Sequence, residues 1–205
     1  MTRVKICGLK RMEDALVAVE AGADLVGFVF APSRRRIDPD AAREIIAVVH
    51  ARSAARAVGV FVNADPTDMN AVAHICDLDY VQLSGDEPDD LPPALDVPSI
   101  QAIHIGPATT AEVVAKWAET SRAEILLLDT AQDGAYGGTG KAFDWSRVPD
   151  LDRPVLLAGG LHARNVGRAI KRVRPWGVDV SSGVETNGEK DQAKIRAFVR
   201  AVHSS

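Results

Sequence analysis

The sequence has little of what would mark a specialised class of protein. Its two cysteines, Cys7 and Cys76, lie far apart and form no CxxC pair. That excludes a disulfide framework or a zinc ribbon and makes a reducing cytoplasm the expected compartment. The five histidines, at positions 50, 74, 104, 162 and 203, match no metal-ligand spacing, and HExxH is absent, so no metal is expected. No apolar run approaches the roughly 18 residues of a membrane span, and the opening MTRVKICGLKRMEDA carries charge where a signal peptide would be apolar. Neither a membrane partner nor export is expected. Lys plus Arg number 24 against 28 Asp plus Glu, and a net charge of −4 offers no footprint for nucleic acid. An anionic ligand would therefore need a local site.

What is present is a rhythm. With 46% hydrophobic residues in 205, the chain can bury a proper core. Short β-rich apolar runs alternate with helical periodicity. Strands are predicted at Arg3–Cys7, Leu25–Phe30, Ala57–Val62, Tyr80–Leu83, Ser99–Ile105, Ile125–Asp129, Val155–Ala158 and Val178–Ser181. Helices are predicted at Met12–Ala21, Asp40–Ala51, Thr67–Ile75, Ala111–Thr120, Ala163–Val173 and Asp191–Val202, with shorter candidates at Asp90–Leu95 and Phe143–Val148. Asp38-Pro39 and Asp65-Pro66 are helix-start signals. No linker or composition shift divides the chain, so one domain over residues 1–205 is expected. Eight units of about 26 residues fit a (β/α)₈ TIM barrel of eight parallel strands. An open doubly wound sheet is the competitor, but the turn after the first strand is only Gly8-Leu9-Lys10, and the glycine-rich turns follow the last strands.

In a barrel, reactive groups stand at the C-terminal ends of strands. Cys7 and Asp129 occupy such ends, whereas Cys76, on a helical pattern, reads as a buried small hydrophobe. Gly159-Gly160 ends the seventh strand and Ser181-Ser182-Gly183 the eighth. Exposed N–H groups in such turns bind phosphate without basic side chains. Lys5 shares the inward face with Cys7, and Asp179 shares one with Ser181. A buried Lys5 needs a carboxylate, and Asp179 is its expected partner if the barrel closes. Ser33-Arg34-Arg35-Arg36 follows the second strand and can send an arginine to a carboxylate.

Together these residues closely resemble the phosphoribosylanthranilate isomerase family of tryptophan biosynthesis. The matching motifs are Val4-Lys5-Ile6-Cys7-Gly8, Gly22-Ala23-Asp24 with Gly27-Phe28-Val29-Phe30, Val58-Gly59-Val60-Phe61-Val62, Val81-Gln82-Leu83, Leu128-Asp129-Thr130, Gly137-Gly138-Thr139-Gly140-Lys141 with Phe143-Asp144-Trp145, Leu157-Ala158-Gly159-Gly160-Leu161 and Val178-Asp179-Val180-Ser181-Ser182-Gly183-Val184-Glu185. The resemblance implies a cofactor-free barrel that turns N-(5-phosphoribosyl)anthranilate into 1-(2-carboxyphenylamino)-1-deoxyribulose 5-phosphate by an Amadori rearrangement. Cys7 would be the general base and Asp129 the general acid. Arg35 would hold the anthranilate carboxylate, with Arg36 the alternative, and Asp179 would contact substrate. Ser84 stands where the family commonly has His and receives no role. The loop Ala131–Lys141 resembles a flexible active-site loop. A related isomerase of histidine biosynthesis has Asp in place of Cys7. A silent phosphate-binding barrel is a third reading, and monomer and homodimer are both open. Ordinary pKa values of about 8.5 for Cys and 3.9 for Asp disfavour thiolate plus protonated acid by roughly 6 kcal/mol. The site is therefore expected to lower the Cys7 pKa through Lys5 and to raise that of Asp129 by desolvation.

Overall fold

The apolar runs form eight strands, each within a residue of its expected ends: β1 (Arg3–Cys7), β2 (Leu25–Val29), β3 (Arg56–Phe61), β4 (Tyr80–Leu83), β5 (Ser99–Ile105), β6 (Ile125–Thr130), β7 (Val155–Leu157) and β8 (Gly177–Val180). The computed structural model describes residues 1–131 and 143–205. All eight strands are parallel, each pairs with the next, and β8 pairs with β1 to close the ring. The open-sheet alternative is thereby excluded.

Strand alternation sorts the core into two layers. Leu25, Val58, Ile100, Ile125, Leu127, Leu156 and Ala158 fill the barrel interior. Their neighbours, among them Ile6, Val26, Phe28, Leu83, Leu126 and Val178, point outward to a larger layer under the helices. These are α1 (Met12–Ala21), α2 (Pro39–Arg52), α3 (Pro66–Cys76), α4 (Ala111–Thr120), α5 (Val166–Val173) and α6 (Gln192–His203). Asp38 and Asp65 cap α2 and α3, accepting from the N–H groups of Asp40 and Thr67 at 3.0 and 2.8 Å, with Pro39 and Pro66 in the first turn where no donor is needed. Cys76 is fully buried, as a core residue should be.

Three local expectations need correction. α5 begins at Val166 rather than Ala163, because Asn165 ties the preceding segment into a turn. Its Oδ1 accepts from the His162 N–H at 2.8 Å, and its Nδ2 donates to the Gly160 carbonyl at 3.0 Å. The helices expected after β4 and β6 are single 3₁₀ turns at Pro92–Ala94 and Trp145–Arg147. In the first, two consecutive prolines remove the donors a longer helix would need. A hairpin the sequence reading missed, β9 (Glu185–Thr186) and β10 (Glu189–Lys190), turns through Asn187 and Gly188, both with positive φ.

At the seam that closes the barrel, Lys5 lies in register with Asp179 and donates to its Oδ1 at 3.0 Å. Lys5 has no exposed surface. Burial by itself would push its ammonium down, but Asp179 and Cys7 together hold it above the usual lysine value. Asp179→Asn leaves a buried ammonium without a counter-charge and is expected to cost about 3–5 kcal/mol of unfolding free energy in urea titration. Adding Lys5→Met should restore most of that loss; a double variant as unstable as the single would contradict the pairing.

Candidate active site

The C-terminal ends of the strands surround a cavity of about 600 Å³, within the range of small-molecule sites. Its wall changes character around the ring. Val29, Ala31, Pro32, Val60 and Val62 make an apolar side at β2 and β3. Cys7, Asp179 and Ser181 stand on the β1–β8 side, and Gln82, Ser84, His104 and Asp129 come from β4, β5 and β6. Each is inward by the alternation that also directs Lys5, Leu127 and Ala102.

Cys7 and Lys5 are two residues apart on one strand face, and both side chains lie over Gly27 of β2. A Cβ there would sit 2.8 Å from Cys7 Sγ and 3.2 Å from Lys5 Nζ. A larger residue at 27 would displace both groups. The Lys5 ammonium pulls the thiol pKa down, as expected, but burial is the larger effect, and Cys7 stands above its ordinary value. The expectation of a lowered thiol is thus corrected for the unliganded protein: the apolar wall outweighs one ammonium already shared with Asp179.

Asp129 meets its expectation. Burial raises its carboxyl to about 6, although the Thr130 N–H, 2.7 Å from Oδ1, favours the ionised form. His104 is opposite Asp129 in the β5–β6 register and contributes a smaller lowering. Its Nε2 also lies 3.2 Å from the Ser84 carbonyl. The sequence reading examined the histidines for metal spacing only and passed over this position, which strand alternation could have marked. Gln82 was missed too. It donates to Ser84 Oγ at 2.9 Å, while its buried Oε1 has no partner among the described residues, a polar atom suited to a ligand's N–H or O–H.

Arg35, not Arg36, lines the cavity. Arg35 is held by Glu185, to which its Nε donates at 2.7 Å and its Nη2 at 3.1 Å. Arg34 donates to the same carboxylate at 2.6 Å, and Lys190 at 2.8 Å. Although burial opposes ionisation, Arg35 and Lys190 hold the Glu185 pKa at about 2. Arg36 is exposed and forms an isolated β-bridge with Val29.

Of the expected phosphate group, Ser181 lines the cavity. Gly159 and Gly160 both take left-handed backbone, and Ser182-Gly183-Val184 is a 3₁₀ turn. A Cβ on Gly183 would run into the Leu161 carbonyl, so the turns after β7 and β8 are packed against one another as a single unit. The Gly137–Lys141 motif and residues 132–141 of the expected mobile loop lie outside the described residues. Among the described residues, no His, Cys, Asp and Glu cluster could hold a metal ion, and no helix is long and apolar enough to cross a membrane.

The sequence model of the N-(5'phosphoribosyl)anthranilate (PRA) isomerase family matches residues 4–201. A curated N-(5'-phosphoribosyl)anthranilate isomerase from Roseiflexus sp. (strain RS-1) is 49% identical over 217 residues, covering 100% of this chain and 99% of the relative. Among solved structures, the phosphoribosyl anthranilate isomerase of Thermus thermophilus superposes with a TM-score of 0.86 at 36% identity, covering 99% of each chain. A phosphoribosyl anthranilate isomerase solved in complex with reduced 1-(o-carboxyphenylamino)-1-deoxyribulose 5-phosphate gives 0.83 at 38% identity, covering 100% of both.

The electrostatics can be read directly. In carboxyl ¹³C titration of the unliganded protein, Asp129 should show a midpoint near 6. A midpoint near 4, the ordinary carboxylate value, would mean that water reaches the carboxyl and burial does not control it.

Proposed function

Since the chain belongs to the PRA isomerase family, we propose that its barrel-mouth cavity converts N-(5-phosphoribosyl)anthranilate to 1-(2-carboxyphenylamino)-1-deoxyribulose 5-phosphate, with Asp129 as general acid and Cys7 as general base. The observation that carries this reading is a pair of groups able to transfer protons, the buried Cys7 on β1 and the half-buried Asp129 on β6, facing one cavity and separated round the ring by β7 and β8. Asp129 gives its proton to the furanose ring oxygen, and the ring opens to a Schiff base. Cys7, as thiolate, removes the proton from the sugar C2, giving an enolamine that tautomerises to the ketone. One proton leaves Asp129 and one arrives on Cys7, and exchange with solvent restores the pair. The other groups support the same orientation. The linked turns bearing Gly159, Gly160, Ser181, Ser182 and Gly183 would take the phosphate through backbone N–H groups. The apolar side at Val29 and Val60 suits the anthranilate ring, Arg35 its carboxylate and Asp179 the sugar.

In a coupled assay on N-(5-phosphoribosyl)anthranilate, Cys7→Ser and Asp129→Asn should each lose at least about a hundredfold in kcat. Arg35→Met should raise KM well before kcat falls. Near-normal turnover in Cys7→Ser would remove Cys7 as the base, and a KM effect confined to Arg36→Met would move the carboxylate contact by one residue.

The pH dependence follows from the two raised groups. Below about pH 6 Asp129 takes up a proton while Cys7 still holds its own, so no base remains. Above the raised Cys7 value both protons are gone and no acid remains. Values of kcat/KM should therefore fall as pH drops through about 6 and again on the alkaline side, the two limbs belonging to the pair rather than to either residue. Asp129→Asn should remove the limb near 6 and the alkaline fall, leaving a residual activity that rises with pH through the raised Cys7 value; an unchanged limb near 6 would assign it to another group.

A further inference from the structure

Lys190 has no place in the chemistry above, yet it is one of the few buried lysines, with a side chain only 4% exposed. It sits at the end of the β9–β10 hairpin, and its ammonium returns to the barrel mouth. There it donates to the Ser181 carbonyl at 3.0 Å, to Ser181 Oγ at 3.3 Å and to Glu185 Oε1 at 2.8 Å. Ser181 is one step beyond the last paired residues of the β1–β8 seam, Ile6 and Val180, and so stands beside Cys7. Lys190 therefore approaches Cys7 from the β8 side while Lys5 approaches along β1. Glu185 does not rely on this ammonium alone, because Arg34 and Arg35 also donate to its two oxygens.

We propose that Lys190 is a positioning residue for catalysis: seated on Ser181, its ammonium holds the negative charge of the Cys7 thiolate, and Glu185 limits how much of that charge Lys190 can offer. The proposal rests on the reading of Cys7 as the base. Mutual attraction between Lys190 and Cys7 accompanies the geometry. Lys190 favours the thiolate and Cys7 favours the ammonium, against burial that presses the lysine down and the thiol up. Among the described residues, the charged and titratable groups facing Cys7 are Lys5 on β1, Asp179 on β8, Lys190 with Glu185 behind it, Arg35 from the β2–α2 loop, and Asp129 and His104 from β6 and β5.

The test is a pH titration of ultraviolet thiolate absorbance in full-length protein carrying Cys76→Ser, which leaves Cys7 as the sole thiol. Lys190→Met should move the Cys7 midpoint up by at least about one pH unit, and Lys190→Arg should bring it back towards the parent. Glu185→Gln should move it down. The opposite signs separate charge from loosening, since a loosened, wetter site would relieve the burial of Cys7 and lower the midpoint in every variant. Lys190→Gln serves if Lys190→Met does not fold. An unmoved midpoint on neutralising Lys190, or downward shifts in both the lysine and the glutamate variants, would overturn the proposal. Normal turnover by Cys7→Ser would remove the base instead, leaving the midpoint shift intact.

Discussion

A lysine ammonium shut away from water must have a carboxylate beside it, and the mouth of this barrel is arranged around two such pairs. Lys5–Asp179 lies across the seam where the last strand meets the first, and Lys190–Glu185 lies just above it. The first pair can exist only if the ring closes, since its members are 174 residues apart. The second gathers the β2–α2 loop, through Arg34 and Arg35, onto the segment that follows β8. Such pairs contribute little net stability compared with apolar packing, but losing one partner is expensive, so they define one arrangement of the loops rather than many.

The same burial raises both of the proposed proton-transfer groups, with opposite consequences for their proposed roles. Desolvation raises Asp129, which suits an acid that must carry a proton at neutral pH. It also raises Cys7, which works against a thiolate. The ammonium groups of Lys5 and Lys190 counter that cost. A substrate that displaces water would strengthen every one of these interactions. Among the described residues, the cavity thus has an apolar side, a cationic flank and a half-buried carboxyl.

The strands were legible because buried parallel strands read as continuous apolar runs ended by Gly, Asp or Ser. The place of Cys7 and Asp129 at the cavity was legible because barrels expose strand termini at the mouth. The Lys5–Asp179 pair followed from alternation plus closure. The segments around Glu185, Lys190 and Arg35 were harder. Arg35 and Glu185 are 150 residues apart, and nothing local in either marks the other as its partner. The β9–β10 hairpin did carry a local signal, Asn187-Gly188, but its two-residue strands are too short to show a period. His104 and Gln82 were visible as inward positions on β5 and β4; no motif surrounds His104, and Gln82, although inside the matching Val81-Gln82-Leu83, was given no role. The thiol's direction was read the wrong way, from Lys5 alone, since it depends on how much water the closed site excludes.

The most direct test of the account is a crystal structure of this protein with the reduced product analogue bound. The phosphate should lie on the turns bearing Gly159, Gly160 and Ser181–Gly183, with the aromatic ring against Val29 and Val60. Cys7 Sγ should come within about 3.5 Å of the sugar C2, and the Asp129 carboxyl should contact the oxygen that closes the furanose ring in the substrate. A ligand bound in the reverse direction, or with C2 beyond reach of Cys7, would contradict the assignment of acid and base on which the account depends.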